Sequence, residues 1–524
     1  MEQRIPSADS RIRKIPPEMR AAFWGSLVFG LVSQGMGMLN KYSWHDDIFS
    51  LFRVGDTVSS GRWMLYVLAK LEILIFGDGH FSLPLMNGFF SLLCIGASAA
   101  LTVRLLKIQN LVFCALLGAV MAAFPVITAL FGFMFAVPYY MLALLWAVAG
   151  AYLIRWESPW WEKMIGAVLA GCSVGVYQAF LPVFLTLILF SDLVTMAEGK
   201  QALSSFWMNV LIQVILIGLS MGIYVAGSRY FLQLTGYVLI NYMGLAEVDS
   251  VPLTTYIQRA GRAYREFFHP SRYAPWDMYP HHVYYLHFLA LGTSALLAIP
   301  LIIRMWKQSR VKSILFVLML ALIPLGCNFI FVMCGEVHGL MVYGQVFQVA
   351  LFVWLVDRLE ISRPAVRNWT VRGAAAMLAL TNLMYARYDN QCYLKTEFQQ
   401  QEAISWFTTL VTRIKSTPGF RDELPVIWVN REKMQDDTLY NLDQLDFIRL
   451  SSYEENIRGY IANWAWDAYL AHWCGFSPQS IDEEEPEEEE GMGEKEWPPE
   501  IQAMPHYPDD GSIQIIDDAV VVNF

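Results

Sequence analysis

The sequence predicts an α-helical polytopic membrane protein, about eleven transmembrane helices, carrying a small C-terminal α+β domain. Composition is the first observation: hydrophobic residues make up 56% of the 524 and charged residues 16%, against about a quarter charged in a soluble chain. The second is a recurrence of apolar runs of about 20 residues, enough to cross roughly 30 Å of hydrocarbon. Backbone groups in lipid must bond within their own segment, so such runs are helices. The third is that Lys and Arg gather in connections of one parity, as the positive-inside rule requires.

The elements follow in order. Residues 1–20 carry Arg4, Arg11, Arg13, Lys14 and Arg20 and lead into an apolar stretch with no small-residue cleavage site. That pattern predicts a cytoplasmic N-terminus and a retained first span. Spans are expected near 21–39, 82–103, 110–130, 137–154, 163–178, 181–198, 206–227, 283–303, 312–333, 338–357 and 368–386, a transmembrane domain over 21–386. Arg104/Lys107, Arg155/Lys163, Lys200, Arg304/Lys307/Arg310/Lys312 and Arg358/Arg363/Arg367 share the parity of the basic N-terminus. The loops at 40–81 and 228–282 and the segment 387–524 then face the non-cytoplasmic side. Within the first loop, Arg62–Phe76 is too short and, with Lys70 and Glu72, too charged to span, so it predicts an interfacial helix.

The C-terminal domain reads as a helix at 390–415, strands at 425–430 and 447–451, and a helix at 457–473. A closing hairpin follows at 512–524 with Asp517 and Asp518 at its turn. The run Asp482–Glu490 supplies much of the net charge of −10 and predicts a solvated linker. Of seven cysteines, five lie in or beside apolar spans as small hydrophobes. Cys392 and Cys474 are the pair that an oxidising compartment would allow to form a disulfide.

Candidate chemistry collects on the non-cytoplasmic side. The first loop reads Asn40-Lys-Tyr-Ser-Trp-His-Asp-Asp-Ile-Phe, then Ser60-Gly-Arg-Trp. Asp46 and Asp47 sit just beyond a span, where a carboxylate is a functional candidate and a possible general base toward a sugar hydroxyl. On these residues alone, capping of the following helix is the favoured account. His45 is placed to assist, and Arg62 to pair with an acid or a phosphate. In the second loop Arg259, Arg262 and Arg265 recur every third residue, interleaved with Tyr256, Tyr264, Phe267 and Phe268. Such a helix suits either a lipid phosphate or a bed of headgroups. Tyr177 and Gln178 mark a tight hairpin between spans; Glu336 and His338 occupy a later turn; Arg387 follows the last span. His269, His281, His282 and His287 lack acidic or cysteine companions at ligand spacing and read as interfacial, so no metal is assigned.

No P-loop, dinucleotide fingerprint, G-x-S-x-G elbow or H-E-x-x-H helix occurs, and no cofactor or nucleic-acid partner is indicated. The cytoplasmic loops leave no room for a nucleotide-binding domain. An enzyme of this build takes a substrate already carried on lipid. A transporter or flippase of lipid-linked glycans would need charge deep within its spans, which is scarce here. A glycan polymerase or ligase would share the polar face without using a monosaccharide donor.

The segments Tyr42-Ser-Trp-His-Asp-Asp-Ile, Ser60-Gly-Arg-Trp and Tyr177-Gln178, in that order, resemble the bacterial membrane glucosyltransferases that modify O-antigen, of the GT-C type. The closing stretch from Tyr507 to Val522 is similar to that family's end. The resemblance implies an inner-membrane enzyme with a periplasmic C-terminus. Its donor would be a polyprenyl-phosphate hexose, glucose by analogy, and its acceptor a lipid-linked or polymeric glycan. It also implies catalytic acid in the first loop, hence Asp46 and Asp47. The acidic linker has no counterpart in it.

Overall fold

The computed structural model describes residues 15–42, 46–54, 57–77, 79–199, 201–240, 251–269, 283–359, 363–431, 443–445, 447–450, 452–453, 465–479 and 497–524. In chain order the helices are α1 (Pro17–Leu39), α2 (Asp46–Phe49), α3 (Trp63–Phe76), α4 (Pro84–Leu106), α5 (Leu111–Ala123), α6 (Pro125–Phe131), α7 (Val137–Leu153), α8 (Trp160–Val176) and α9 (Leu181–Ala197). Then come α10 (Leu203–Thr235), α11 (Leu253–Phe268), α12 (Val283–Gln308), α13 (Arg310–Cys327), α14 (Ile330–Met333), α15 (Phe347–Asp357), α16 (Pro364–Ser416), α17 (Trp466–Cys474) and α18 (Pro499–Gln502). Three strands, β1 (Val426–Val429), β2 (Ile513–Ile516) and β3 (Ala519–Asn523), complete the set.

The described chain divides into two compact units. The first is built from Met1–Lys41, Arg53–Cys392 and Leu450–Ser452; the second from Tyr42–Phe52, Tyr393–Arg449 and Tyr453–Phe524.

The first unit is helical. Among the described residues six helices are long and apolar enough to cross a membrane, or seven if α5 and α6 count as one bent span. The eleven spans expected from the sequence are not confirmed by these helices. α7 and α8 have 17 residues each and α15 has 11, and at 1.5 Å per residue they fall short of roughly 30 Å. α5 and α6 meet at an angle of 41°. Pro125 has no N–H to give the carbonyl of Met121 one turn back. That carbonyl instead accepts from the Tyr343 hydroxyl at 2.8 Å, and the Ala122 carbonyl accepts from Gln34 Nε2 at 3.3 Å. Side chains thus satisfy backbone that lipid could not.

The segments expected at 368–386 and 390–415 are one element. α16 runs unbroken for 53 residues because neither glycine nor proline occurs between Gly373 and Pro418. The fall in hydropathy along it leaves its backbone helical.

In the second unit, β3 lies between a parallel β1 (Val426↔Val520) and an antiparallel β2 (Ile513↔Val522). Alternation sends Val426, Trp428, Val520 and Val522 to one face, where they join Phe407, Leu410, Ile414, Trp466, Tyr469 and Phe524. Val429 and Val521 join Ile501 and Met504 on the other. The expected hairpin is present, with Asp517 and Asp518 at φ 49° and 58° between β2 and β3. The strand expected at 447–451 is not: residues 447–450 have no ladder partner and Ser451 lies outside the described residues. The helix expected at 457–473 begins, among described residues, at Trp466. The described cysteines form no disulfide, Cys392 and Cys474 included; Cys392 is wholly buried on α16. The acidic run 482–490 lies outside the described residues.

Candidate active site

The Ser60-Gly-Arg-Trp segment is clamped onto the helical unit at the start of α3. Trp63 donates through its indole Nε1 to the Tyr224 carbonyl at 3.1 Å. Its ring lies where a Cβ on Gly175 or Gly227 would stand 2.7 or 2.3 Å away, so only glycine on α8 and α10 admits the indole. Gly61 has φ +76°, and a side chain there would meet the Tyr224 hydroxyl at 2.8 Å. Gln178 Nε2, buried at the α8–α9 turn, donates to the Ser60 carbonyl at 3.0 Å and to the Tyr224 hydroxyl at 3.3 Å.

This clamp aims Arg62. Its Nη1 donates to the Tyr140 hydroxyl at 3.2 Å, and its guanidinium lies 5.3 Å from the Tyr177 ring centre. Tyr140 and Tyr177 stack at 4.6 Å. The predicted residues Arg62, Tyr177 and Gln178 are therefore brought together. Trp63, the last residue of the Ser60-Gly-Arg-Trp motif, completes the group with Tyr140 and Tyr224. The sequence does not single out the two tyrosines, since a tyrosine inside an apolar run looks like any other aromatic of that run.

The predicted carboxylates belong to the second unit. Asp46 and Asp47 open α2, with Asp47 buried, and both lie in its first turn, where a helix favours negative charge. Ile48 is buried in the core with Phe407, Trp466 and Val520. Tyr42 donates to Glu397 Oε2 at 2.9 Å and stacks on Tyr393, so burial and then the neighbouring carboxylate push its phenol pKa upward. His45 lies outside the described residues.

The three arginines of α11 are not equivalent. A step of three residues drifts around the helix, so Arg259 and Arg262 are half-buried while Arg265 is exposed. Arg262 donates to the Gly335 carbonyl at 3.3 Å and Arg259 to that of Met333 at 3.5 Å. Both brace the turn that carries Glu336, which is exposed, and His338, which is half-buried and whose imidazole pKa burial lowers. On the inner face of α11, Glu266 is buried 3.9 Å from Arg262. Burial pushes its carboxyl up to about 7, against a weaker downward pull from Arg262 and Arg265. Arg387 is exposed on α16, and it is Asp389, two residues on, that is buried. Among the described residues no three of His, Cys, Asp and Glu gather to hold a metal.

The family model for glucosyl transferase GtrII matches residues 35–356. The chain belongs to this family. The membership makes it a glycosyltransferase, as the resemblance of the first-loop motifs implies. The matched stretch takes in Asp46, Asp47, Arg62, Tyr177, Gln178, the α11 arginines, Glu336 and His338. It ends before Arg387 and before all three strands, so the closing stretch from Tyr507 lies beyond it. Neither the curated proteins nor the solved structures searched gave a match.

Proposed function

We propose that this chain is a GT-C-type enzyme that transfers a hexose, glucose by its family, from a polyprenyl-phosphate donor to a lipid-linked or polymeric O-antigen-like glycan. The transfer takes place on the non-cytoplasmic face of a bacterial inner membrane, with the N-terminus cytoplasmic and the C-terminal region outside. The observation that carries this reading is Arg62, held by the aromatic partners Tyr140 and Tyr177 within a glucosyltransferase match. A guanidinium is always charged, and its planar fork suits a phosphate. Arg62 is assigned the donor phosphate, and Asp46 or Asp47 the acceptor proton. The acceptor oxygen bonds to the anomeric carbon as the bond from that carbon to the phosphate oxygen breaks. The polyprenyl phosphate leaves with that electron pair, and the carboxylate takes the hydroxyl proton.

Purified protein in lipid, given polyprenyl-phosphate glucose and a lipid-linked glycan, is expected to consume donor and glucosylate acceptor one for one. Replacing the catalytic one of Asp46→Asn and Asp47→Asn is expected to cost about 10²–10⁴-fold in kcat. Full activity in both would remove the base from this loop. A second reading, transport of a lipid-linked glycan, draws on the bent pair α5–α6 and the buried Asp389 beside it. Interrupted helices and intramembrane acids line transport sites. Uptake of labelled lipid-linked glycan into vesicles without donor would favour it.

A further inference from the structure

The helical unit holds a second polar group at the first turn of α7, one residue from Tyr140. Glu72, on α3, is three-quarters buried although its neighbours Leu74 and Phe76 are largely exposed. A carboxylate at such an apolar surface is costly unless it is engaged. Its Oε2 accepts from the Tyr139 hydroxyl and lies 2.8 Å from His80 Nδ1. A carboxylate only accepts, so Nδ1 carries a proton, and in the neutral imidazole Nε2 then holds the lone pair. His80 is 97% buried, its ring centre 6.2 Å from that of Tyr139, and Nε2 has no hydrogen-bond partner among the described residues. A buried acceptor left unmade is costly, and native structures seldom keep one without a use. A carboxylate fixing the tautomer of an imidazole is the arrangement that presents a lone pair to a substrate.

Tyr139 and Tyr140 are consecutive, so one helix turn fastens this group and the Arg62 group together. The chemistry of the two is complementary: a guanidinium for an anion, and an oriented lone pair for a neutral O–H donor. A sugar offers hydroxyls and little else.

We propose that His80 Nε2 is a hydrogen-bond acceptor for a hexose hydroxyl, with Glu72 and Tyr139 as the positioning residues that hold it in that tautomer. This rests on the reading above that a glycosyl group is handled here, and it names the subsite that grips the sugar. The test uses full-length protein in lipid nanodiscs, with methyl α-D-glucopyranoside as the hexose probe followed by saturation-transfer NMR. A parallel assay gives KM and kcat with polyprenyl-phosphate glucose.

Wild type is expected to bind the probe. His80→Phe, which fills the space without an acceptor, should weaken binding at least tenfold and raise a KM more than it lowers kcat. His80→Gln, which keeps an acceptor oxygen, should stay within about threefold of wild type. Tyr139→Phe, which keeps the ring, should weaken binding about threefold, and it carries the test if His80→Phe does not fold. The proposal is overturned if wild type does not bind the probe, or if His80→Phe or Tyr139→Phe binds like wild type. Equal losses in His80→Phe and His80→Gln would overturn it too, as would a lowered melting temperature with KM unchanged, the mark of a clamp that only braces α3. Probe binding that depends on His80 without donor turnover would sink the transferase reading and leave this subsite standing. Turnover insensitive to His80→Phe would do the reverse.

Discussion

Ile48 and Trp63 stand fifteen residues apart in one loop of the sequence, yet each is fastened into a different core. Ile48 is buried among the aromatic residues of the α/β unit, next to Asp46 and Asp47. Trp63 is wedged between glycines of α8 and α10 in the helical unit, next to Arg62. In both cases an apolar anchor sits beside the charged group, and the anchor fixes where the charge points. The difference lies in what each anchor is made for. Ile48 fills a general hydrophobic core that would accept another aliphatic side chain, whereas the Trp63 slot is cut to one shape by two missing side chains and one carbonyl.

The largest expected effects come from breaking the two anchors separately. Trp63→Ala should cost about 3–5 kcal/mol of stability, and Ile48→Ala about 2–5. Their kinetic marks should differ. Trp63→Ala, made in protein that still folds at low temperature, should raise the KM for donor by at least tenfold, because Arg62 loses its aim. Ile48→Val should keep stability within about 1.5 kcal/mol and leave donor KM unchanged. A rise in donor KM for Ile48→Val equal to that for Trp63→Ala would show that the anchors do not divide the labour in this way.

The anchors also show what a sequence can tell. The apolar runs, the hairpin with Asp517 and Asp518 at its turn, the α8–α9 turn at Tyr177 and Gln178, and the Ser-Gly-Arg-Trp segment all carry local signals that survive into the structure. Partners brought from far along the chain leave no such signal. Tyr140 and Tyr224 are visible only as aromatics in apolar runs, although their hydroxyls organise the Arg62 group. Pro125 did carry a local signal, but a bend within an apolar run does not interrupt the run, so hydropathy alone passes over it. The arginines of α11 show the converse. Their spacing is plain, but that two of them would be engaged by the carbonyls of Met333 and Gly335 depends on a turn about seventy residues later.

A smaller effect sharpens the comparison within the helical unit, at an anchor that titrates. Burial holds the Glu266 carboxyl near 7, with Arg262 and Arg265 pulling the other way. Because the folded state binds this proton more tightly than the unfolded chain, the contribution is full below the ordinary glutamate range. It is lost as pH rises through about 7. Wild type should therefore lose melting temperature between pH 6 and pH 8 by a component that Glu266→Gln removes. The Gln variant should gain on wild type at pH 8. An identical pH profile in the two proteins would mean that Glu266 keeps the same proton affinity when the chain unfolds.

The smallest effect belongs to the second unit and asks whether its sheet limits its stability. Asp517 and Asp518 both adopt the left-handed conformation of a two-residue type I′ turn, which Asn-Gly fills with least strain. Asp517→Asn with Asp518→Gly should gain about 0.5–1 kcal/mol from the turn. It gives up the ion pair from Arg421 Nη2 to Asp518 at 3.0 Å. Both partners of that pair are mostly exposed, and such pairs contribute about 0–1 kcal/mol. The net change should be a few tenths of a kcal/mol in favour of the variant, growing with salt as the lost pair matters less. Hydrogen exchange at Ile513–Asn523 should slow while that of α8 and α10 stays as it was. Faster exchange in the hairpin would mean that the Arg421 pair, and not the turn, sets the closing of the sheet.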